Sequence, residues 1–239
     1  MNHYSTLFLF FTFYSFLGWV IETTFASINK KSFINRGFLT GPFCPIYGFG
    51  AVLILQISSL IDTYFENYYI PISILLSIIM VTVLEYVTGF ILEKLFHCKW
   101  WDYSDNYANI KGYICLQYSL LWGIFAFLVV QIIQPLASST FLYIPDKAKI
   151  YIVSFLVIYF ILDIIKSTID ALKLRNIIIN YLNFPESSYY NKIMKYERFL
   201  KACPRIMILI LERANQNIRG AVNDKIYKIK ITFKNIFQN

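Results

Sequence analysis

The 239 residues are 57% hydrophobic and 19% aromatic, only 15% are charged, and the mean hydropathy is +0.53. That composition excludes an ordinary soluble domain and points to an all-α polytopic membrane protein. The net charge of +8 is confined to one end, since residues 171–239 carry 13 Lys/Arg against 4 Asp/Glu and residues 1–170 carry 9 against 10.

Residues 1–6 carry no Lys or Arg, and no small-residue cleavage site precedes a polar region, so the first apolar run is expected to be a permanent span. Span 1 is predicted over about 7–26, close to the 20 residues a bilayer requires. Tyr14, Gly18 and Glu22 recur every four residues along it and share a face, with Ser15 and Trp19 beside them. A small residue flanked by polar ones lets a second membrane helix approach closely.

The stretch Asn35-Arg36-Gly37-Phe38-Leu39-Thr40-Gly41-Pro42-Phe43-Cys44-Pro45-Ile46-Tyr47-Gly48 follows. Gly37 and Gly41 permit positive φ, while Pro42 and Pro45 fix φ. Two readings suit it. One is a structured entry into span 2, packed on the polar face of span 1. The other is a plain turn followed by a helix with Pro in its first turn. Span 2 is predicted over about 45–61. Span 3, about 70–92, contains Glu85, the most deeply placed acid, with Gly89 and Glu93 following at intervals of four.

Trp100-Trp101 and Tyr103, in the next connection, suit an interfacial aromatic belt. Spans 4 and 5 are predicted over about 113–136 and 150–169. The four cysteines show no C-x-x-C spacing, and the His97-Cys98 pair has no second pair to complete a metal site. Neither a metal nor another cofactor is expected.

Counting Lys and Arg, the first connection has three, the second none, the third three and the fourth two, with many more after span 5. The positive-inside rule then puts the N-terminus outside and the C-terminus in the cytoplasm. Labelling of a cysteine at position 99 or 220 from outside the cell contradicts that topology.

The chain also reads as a repeat over about 7–61 and 70–136. Gly18-Trp19-Val20-Ile21-Glu22 lies over Gly89-Phe90-Ile91-Leu92-Glu93, and Arg36-Gly37 over Lys111-Gly112. Eleven residues after Gly37 and Gly112 stand Gly48 and Gly123, preceded by Tyr47 and Trp122. Copies in the same orientation imply a pseudo-two-fold axis along the membrane normal. Glu22, Arg36, Glu93, Asp102 and Lys111 are then expected to pair in one cytoplasmic cluster, because an unpaired charge at that depth costs about 2.5–3.5 kcal/mol. The domain plan is thus a five-span domain over 1–172 and a basic amphipathic tail over 173–239. Within the tail, a surface-lying helix pair is expected over about 189–217, with a hairpin packed on its own core or on a partner as the alternative.

Three groups of residues carry a family resemblance. They are Tyr14-Ser15-Phe16-Leu17-Gly18-Trp19-Val20-Ile21-Glu22, the Asn35–Gly48 stretch, and Trp101-Asp102-Tyr103-Ser104 with Gly112 downstream. At these residues, and over roughly 5–170, the chain resembles bacterial membrane proteins catalogued as ABC-transporter type IV permeases. The resemblance implies a permease subunit working with a separate ATPase. The 239 residues contain no G-x-x-x-x-G-K-[ST] run of their own.

A transport component is the leading functional reading, with Tyr14, Gly18, Glu22, Glu85 and Gly89 at the interface between repeats and Trp19 and Gly37 as further candidate binding residues. Five spans make a small pore, so an ATPase subunit or a second copy is an expected partner, together with membrane lipids. The second reading is a membrane-embedded enzyme on lipid head groups. It takes Glu22, Glu85, Glu93 or Asp102 as acid/base groups, and Arg36 and Lys111 as anion holders. No Ser-His, Cys-His or metal set accompanies it. A non-catalytic scaffold or sensor is the third. Nucleic acid is not an expected partner, since no recognition module accompanies the basic tail.

Overall fold

A computed structural model describes residues 3–64, 69–97, 99–183, 192 and 195–202. All regular elements among them are helical: α1 (His3–Lys30), α2 (Pro45–Tyr64), α3 (Tyr69–Phe96), α4 (Leu116–Leu128), α5 (Gln134–Leu142), α6 (Asp146–Asn183) and α7 (Glu197–Ala202). A five-residue π-helical turn, Val129–Ile133, joins α4 to α5. It lies just before Pro135, which lacks an amide donor and crowds the preceding turn, so a wider turn relieves both problems. Five stretches are long and apolar enough to cross a bilayer: Tyr4–Lys30, Pro45–Tyr64, Ile70–Phe96, Leu116–Phe141 and Asp146–Ile177. The protein is a multi-pass, all-α membrane protein.

The helices outrun the predicted spans. α6 has 38 residues, about 57 Å of helix, well beyond the ~30 Å hydrocarbon core. The domain boundary drawn at 172 therefore falls inside a continuous helix. Span 4 begins later than expected, at Leu116, because Gly112 takes φ 73° and Ile110 pairs with Ile114 in a tight turn. Only α7 and its immediate neighbours are described within the helix pair expected over 189–217. The remainder of that pair lies outside the described residues.

Two compact units are formed. Of the described residues, those within Met1–Gly18, Phe43–Phe90 and Trp101–Asp163 make up unit 1, and those within Trp19–Pro42, Ile91–Trp100 and Ile164–Asn239 make up unit 2. The core of unit 1 is Phe10, Tyr14, Ala51, Ile54, Val81, Ala126, Val129 and Ala137, so the first four spans converge there. Outward-facing residues such as Leu75, Ile79, Val83 and Val87 of α3 are exposed and apolar, while Ser15, Ser73, Ser77 and Glu85 are buried. Apolar outside and polar inside is the pattern of a protein whose solvent is lipid.

Glycine spacing is set by close approach. A Cβ at Gly48 would lie 2.2 Å from Ser15 Oγ and 2.5 Å from the Phe11 carbonyl oxygen; at Gly18 it would lie 2.2 Å from the Tyr47 ring. Gly50 differs, its nearest neighbour being Val81 at 3.7 Å. Gly48→Ala should therefore cost about 1–3 kcal/mol, since backbone on α1 cannot move aside. Gly50→Ala should be neutral or stabilising by up to ~1 kcal/mol through helix propensity. Equilibrium unfolding in mixed micelles checks this, and equal effects at the two positions contradict it.

Unit 2 holds the connection after α1. That helix ends with Lys31 at φ 51°, where the Lys31 amide donates to the Ile28 carbonyl and the Ser32 amide to that of Ser27, a Schellman arrangement. α3 ends similarly at His97 (φ 54°), and Arg175 Nη1 donates to the Leu95 carbonyl at 2.8 Å. Gly37 and Gly41, which permit positive φ, do not adopt it; Gly112 is the one glycine that does among the described residues. Side-chain bonds shape the 35–42 loop instead.

Candidate functional site

The loop is built on α1. Trp19, Thr23 and Ser27, spaced by four and so on one face, each anchor it. Trp19 Nε1 donates to Asn35 Oδ1 at 2.9 Å, the Arg36 amide to Thr23 Oγ1 at 3.5 Å, and the Ile34 amide to Ser27 Oγ at 3.0 Å. Asn35 then turns the chain: its Oδ1 also accepts from the Gly37 amide (3.0 Å), and its Nδ2 donates to the Thr40 carbonyl (3.0 Å). Ser167 of α6 takes the Thr40 amide at 2.9 Å, with its hydroxyl 3.1 Å from that of Thr40. In unit 1, the Cys44 amide donates to the Ser15 carbonyl at 2.9 Å. The segment is structured against α1, as the first of the two readings has it, and α2 opens with Pro45.

Arg36 lies among these residues. Its Nε is 4.0 Å from Glu22 Oε2, Nη2 donates to the Trp100 carbonyl at 3.3 Å, and Nη1 donates to the Ala202 carbonyl. Trp100 is buried against Phe38, Phe96 and Phe199. It is core, not part of an aromatic belt facing lipid. Arg198 of α7 donates to three consecutive carbonyls, those of Gly37 (3.1 Å), Phe38 (3.2 Å) and Leu39 (2.8 Å). With their donors spent on backbone carbonyls, these guanidinium groups hold loop shape.

Unit 1 has a second polar centre, at membrane depth. Glu85 is 5% exposed and lies eleven residues before the end of α3, about 16 Å along the axis. One carboxylate oxygen accepts from Tyr103 Oη and the other from Trp122 Nε1, both at 3.1 Å. Tyr103 stacks on Tyr118, with ring centroids 4.3 Å apart, and its amide donates to the Gly112 carbonyl. The 101–115 connection thus descends to meet Glu85. Its fold also rests on Trp101 Nε1, which donates to the Tyr113 carbonyl at 2.8 Å. Nearby in the core, Tyr14 Oη donates to Gln134 Oε1 at 3.0 Å.

Of the charges expected in one cluster, Glu22 and Arg36 meet. Within its own turn Asp102 accepts from the Ser104 amide and hydroxyl, and Lys111 sits at φ 53° in that same connection. Glu93 lies in the last turn of α3, where its carbonyl accepts the His97 amide. Gly18 backs onto Tyr47, and Gly37 presents its carbonyl to Arg198. Tyr47 and Trp122, which the repeat reading of the sequence matches, are in ring contact with centroids 5.4 Å apart. Sequence reasoning missed Asn35, Ser167, Gln134 and Arg198. The signal available was the Trp19–Thr23–Ser27 spacing, one residue along from the face selected.

No curated protein and no solved structure matches the chain. A family model described as "Putative ABC-transporter type IV" matches residues 9–168, taking in Glu22, Arg36, Glu85, Tyr103 and Trp122. With about two thirds of its residues matched, the chain belongs to that ABC-transporter type IV family of membrane proteins.

Proposed function

We propose that the chain is the membrane-embedded, permease-like subunit of a transport system, driven by an ATPase encoded outside these 239 residues and working with it or as a dimer. The observation that carries this reading is Glu85, a carboxyl buried at membrane depth and held at both oxygens. An ionisable group in that position is costly to keep, and in membrane proteins it marks a pathway or a relay. The surrounding Ser73 and Ser77, on the same face of α3, extend the polar interior. The orientation that suits the loop charges puts the 35–42 loop and α7 on the cytoplasmic side, where an ATPase would sit.

The head-group enzyme reading has less support. It needed Arg36 to hold an anion, and Arg36 already faces Glu22 and donates to two carbonyls. Affinity purification of the tagged chain in mild detergent tests the transport reading. A nucleotide-hydrolysing polypeptide recovered at fixed stoichiometry is the expected result. Recovery of the chain with no such polypeptide, from membranes of the native host, overturns it.

A further inference from the structure

Two segments of unit 2 that are about 160 residues apart in sequence each donate an arginine to the other's backbone. Arg198 reaches from the 195–202 segment to the carbonyls of Gly37, Phe38 and Leu39. Arg36 reaches back from the loop to the carbonyl of Ala202. Phe199 is buried where the segments meet, in ring contact with Phe38 (6.5 Å) and Trp100 (6.0 Å), and the Arg198 guanidinium lies 4.1 Å from its ring centroid.

Three features make this more than ordinary packing. Carbonyls of three successive residues converge on one guanidinium only while residues 37–39 stay curled, so Arg198 reads loop conformation and not side-chain identity. α7 has six residues, too few to be stable alone, and its internal Glu197–Lys201 pair (2.7 Å) adds only a little. Its helicity therefore depends on docking. The contact is also reciprocal, so release of either side leaves the other's backbone acceptors unfilled.

From these we infer that residues 195–202 are a latch on the 35–42 loop, with Arg198 and Arg36 as its two halves: the loop keeps its shape while the tail is docked and loosens when it is withdrawn. The interaction surface is the carbonyl edge of residues 37–39, and its partner is this chain's own tail. The inference stands apart from the transport reading and holds for any activity of the protein.

Hydrogen exchange of the full chain in nanodiscs tests it. The Gly37 and Thr40 amides, bonded to Asn35 Oδ1 and Ser167 Oγ, report on the loop. Arg198→Ala should speed exchange over 36–42 at least tenfold while peptides from 116–142 stay unchanged. Arg36→Ala should do the same over 196–202. Arg198→Lys, which keeps the charge without the fork, should speed the loop at least threefold, and it gives the same reading if the alanine variant yields no protein. Unchanged loop exchange overturns the latch. So does acceleration spread equally over 116–142, which would make Arg198 a general stabiliser.

Discussion

Replacing Glu85 with Ala is expected to destabilise the protein by about 2–5 kcal/mol. The substitution leaves two buried donors, Tyr103 Oη and Trp122 Nε1, without the acceptors they now use, and each such group costs about 1–3 kcal/mol. Removing a buried carboxyl also relieves its own desolvation, which keeps the total below the sum of the upper limits. Glu85→Gln keeps one oxygen acceptor and turns an amide donor toward the other partner, so a loss of about 1–3 kcal/mol is expected. The order Ala, then Gln, then wild type is the informative part. A cycle with Tyr103→Phe should show coupling of about 1 kcal/mol or more, because both changes remove the same bond. Equilibrium unfolding in mixed micelles measures the four proteins of the cycle and the remaining Glu85 variant. Additivity would mean that Tyr103 and Glu85 are neighbours without a working bond.

The second large effect is expected at Arg36, and it separates two accounts of that residue. If the ion pair with Glu22 were its purpose, neutralising either partner should cost about the same. The geometry argues otherwise: the charges are 4.0 Å apart, and their side chains are 27% and 36% exposed, where a pair contributes at most about 1 kcal/mol. The bonds to the Trp100 and Ala202 carbonyls are made beside buried residues, and bonds involving a charged donor contribute about 1.5–3 kcal/mol each. Arg36→Ala is therefore expected to cost about 2–4 kcal/mol and Glu22→Gln less than about 1 kcal/mol. Arg36→Lys should fall between, since one ammonium lacks the fork that reaches both carbonyls. Equal losses for Arg36→Ala and Glu22→Gln would return the ion pair to the centre of the account.

Five spans, their places and the family were legible in the sequence because hydropathy over 20 residues is a strong, local signal. The choice of face on α1 was not. Tyr14–Gly18–Glu22 and Ser15–Trp19–Thr23–Ser27 are both polar stripes with a period of four, one residue apart. Which of them anchors the loop depends on partners supplied by Asn35, Arg36 and Ile34. Trp100 and Trp101 suited an aromatic belt by composition, yet Trp100 is 7% exposed, because the rings of Phe38 and Phe199, from distant segments, and of nearby Phe96 surround it. Glu85 was singled out by depth alone. Its two donors come from 18 and 37 residues away, a pairing that no spacing rule encodes. Arg198 is one of the 13 Lys/Arg of residues 171–239, and only the folded loop gives it three carbonyls to bind.

Under the proposed function, the buried polar centre at Glu85 works with an ATP-hydrolysing partner. The measurement that addresses it most directly is the rate of ATP hydrolysis by the complex purified through this chain and placed in nanodiscs, with wild type and Glu85→Gln side by side. The variant should still assemble with its partner but hydrolyse ATP at least fivefold differently from wild type, because spans driven by such an ATPase would have lost their polar centre. An assembled complex whose hydrolysis is indifferent to Glu85→Gln would contradict it.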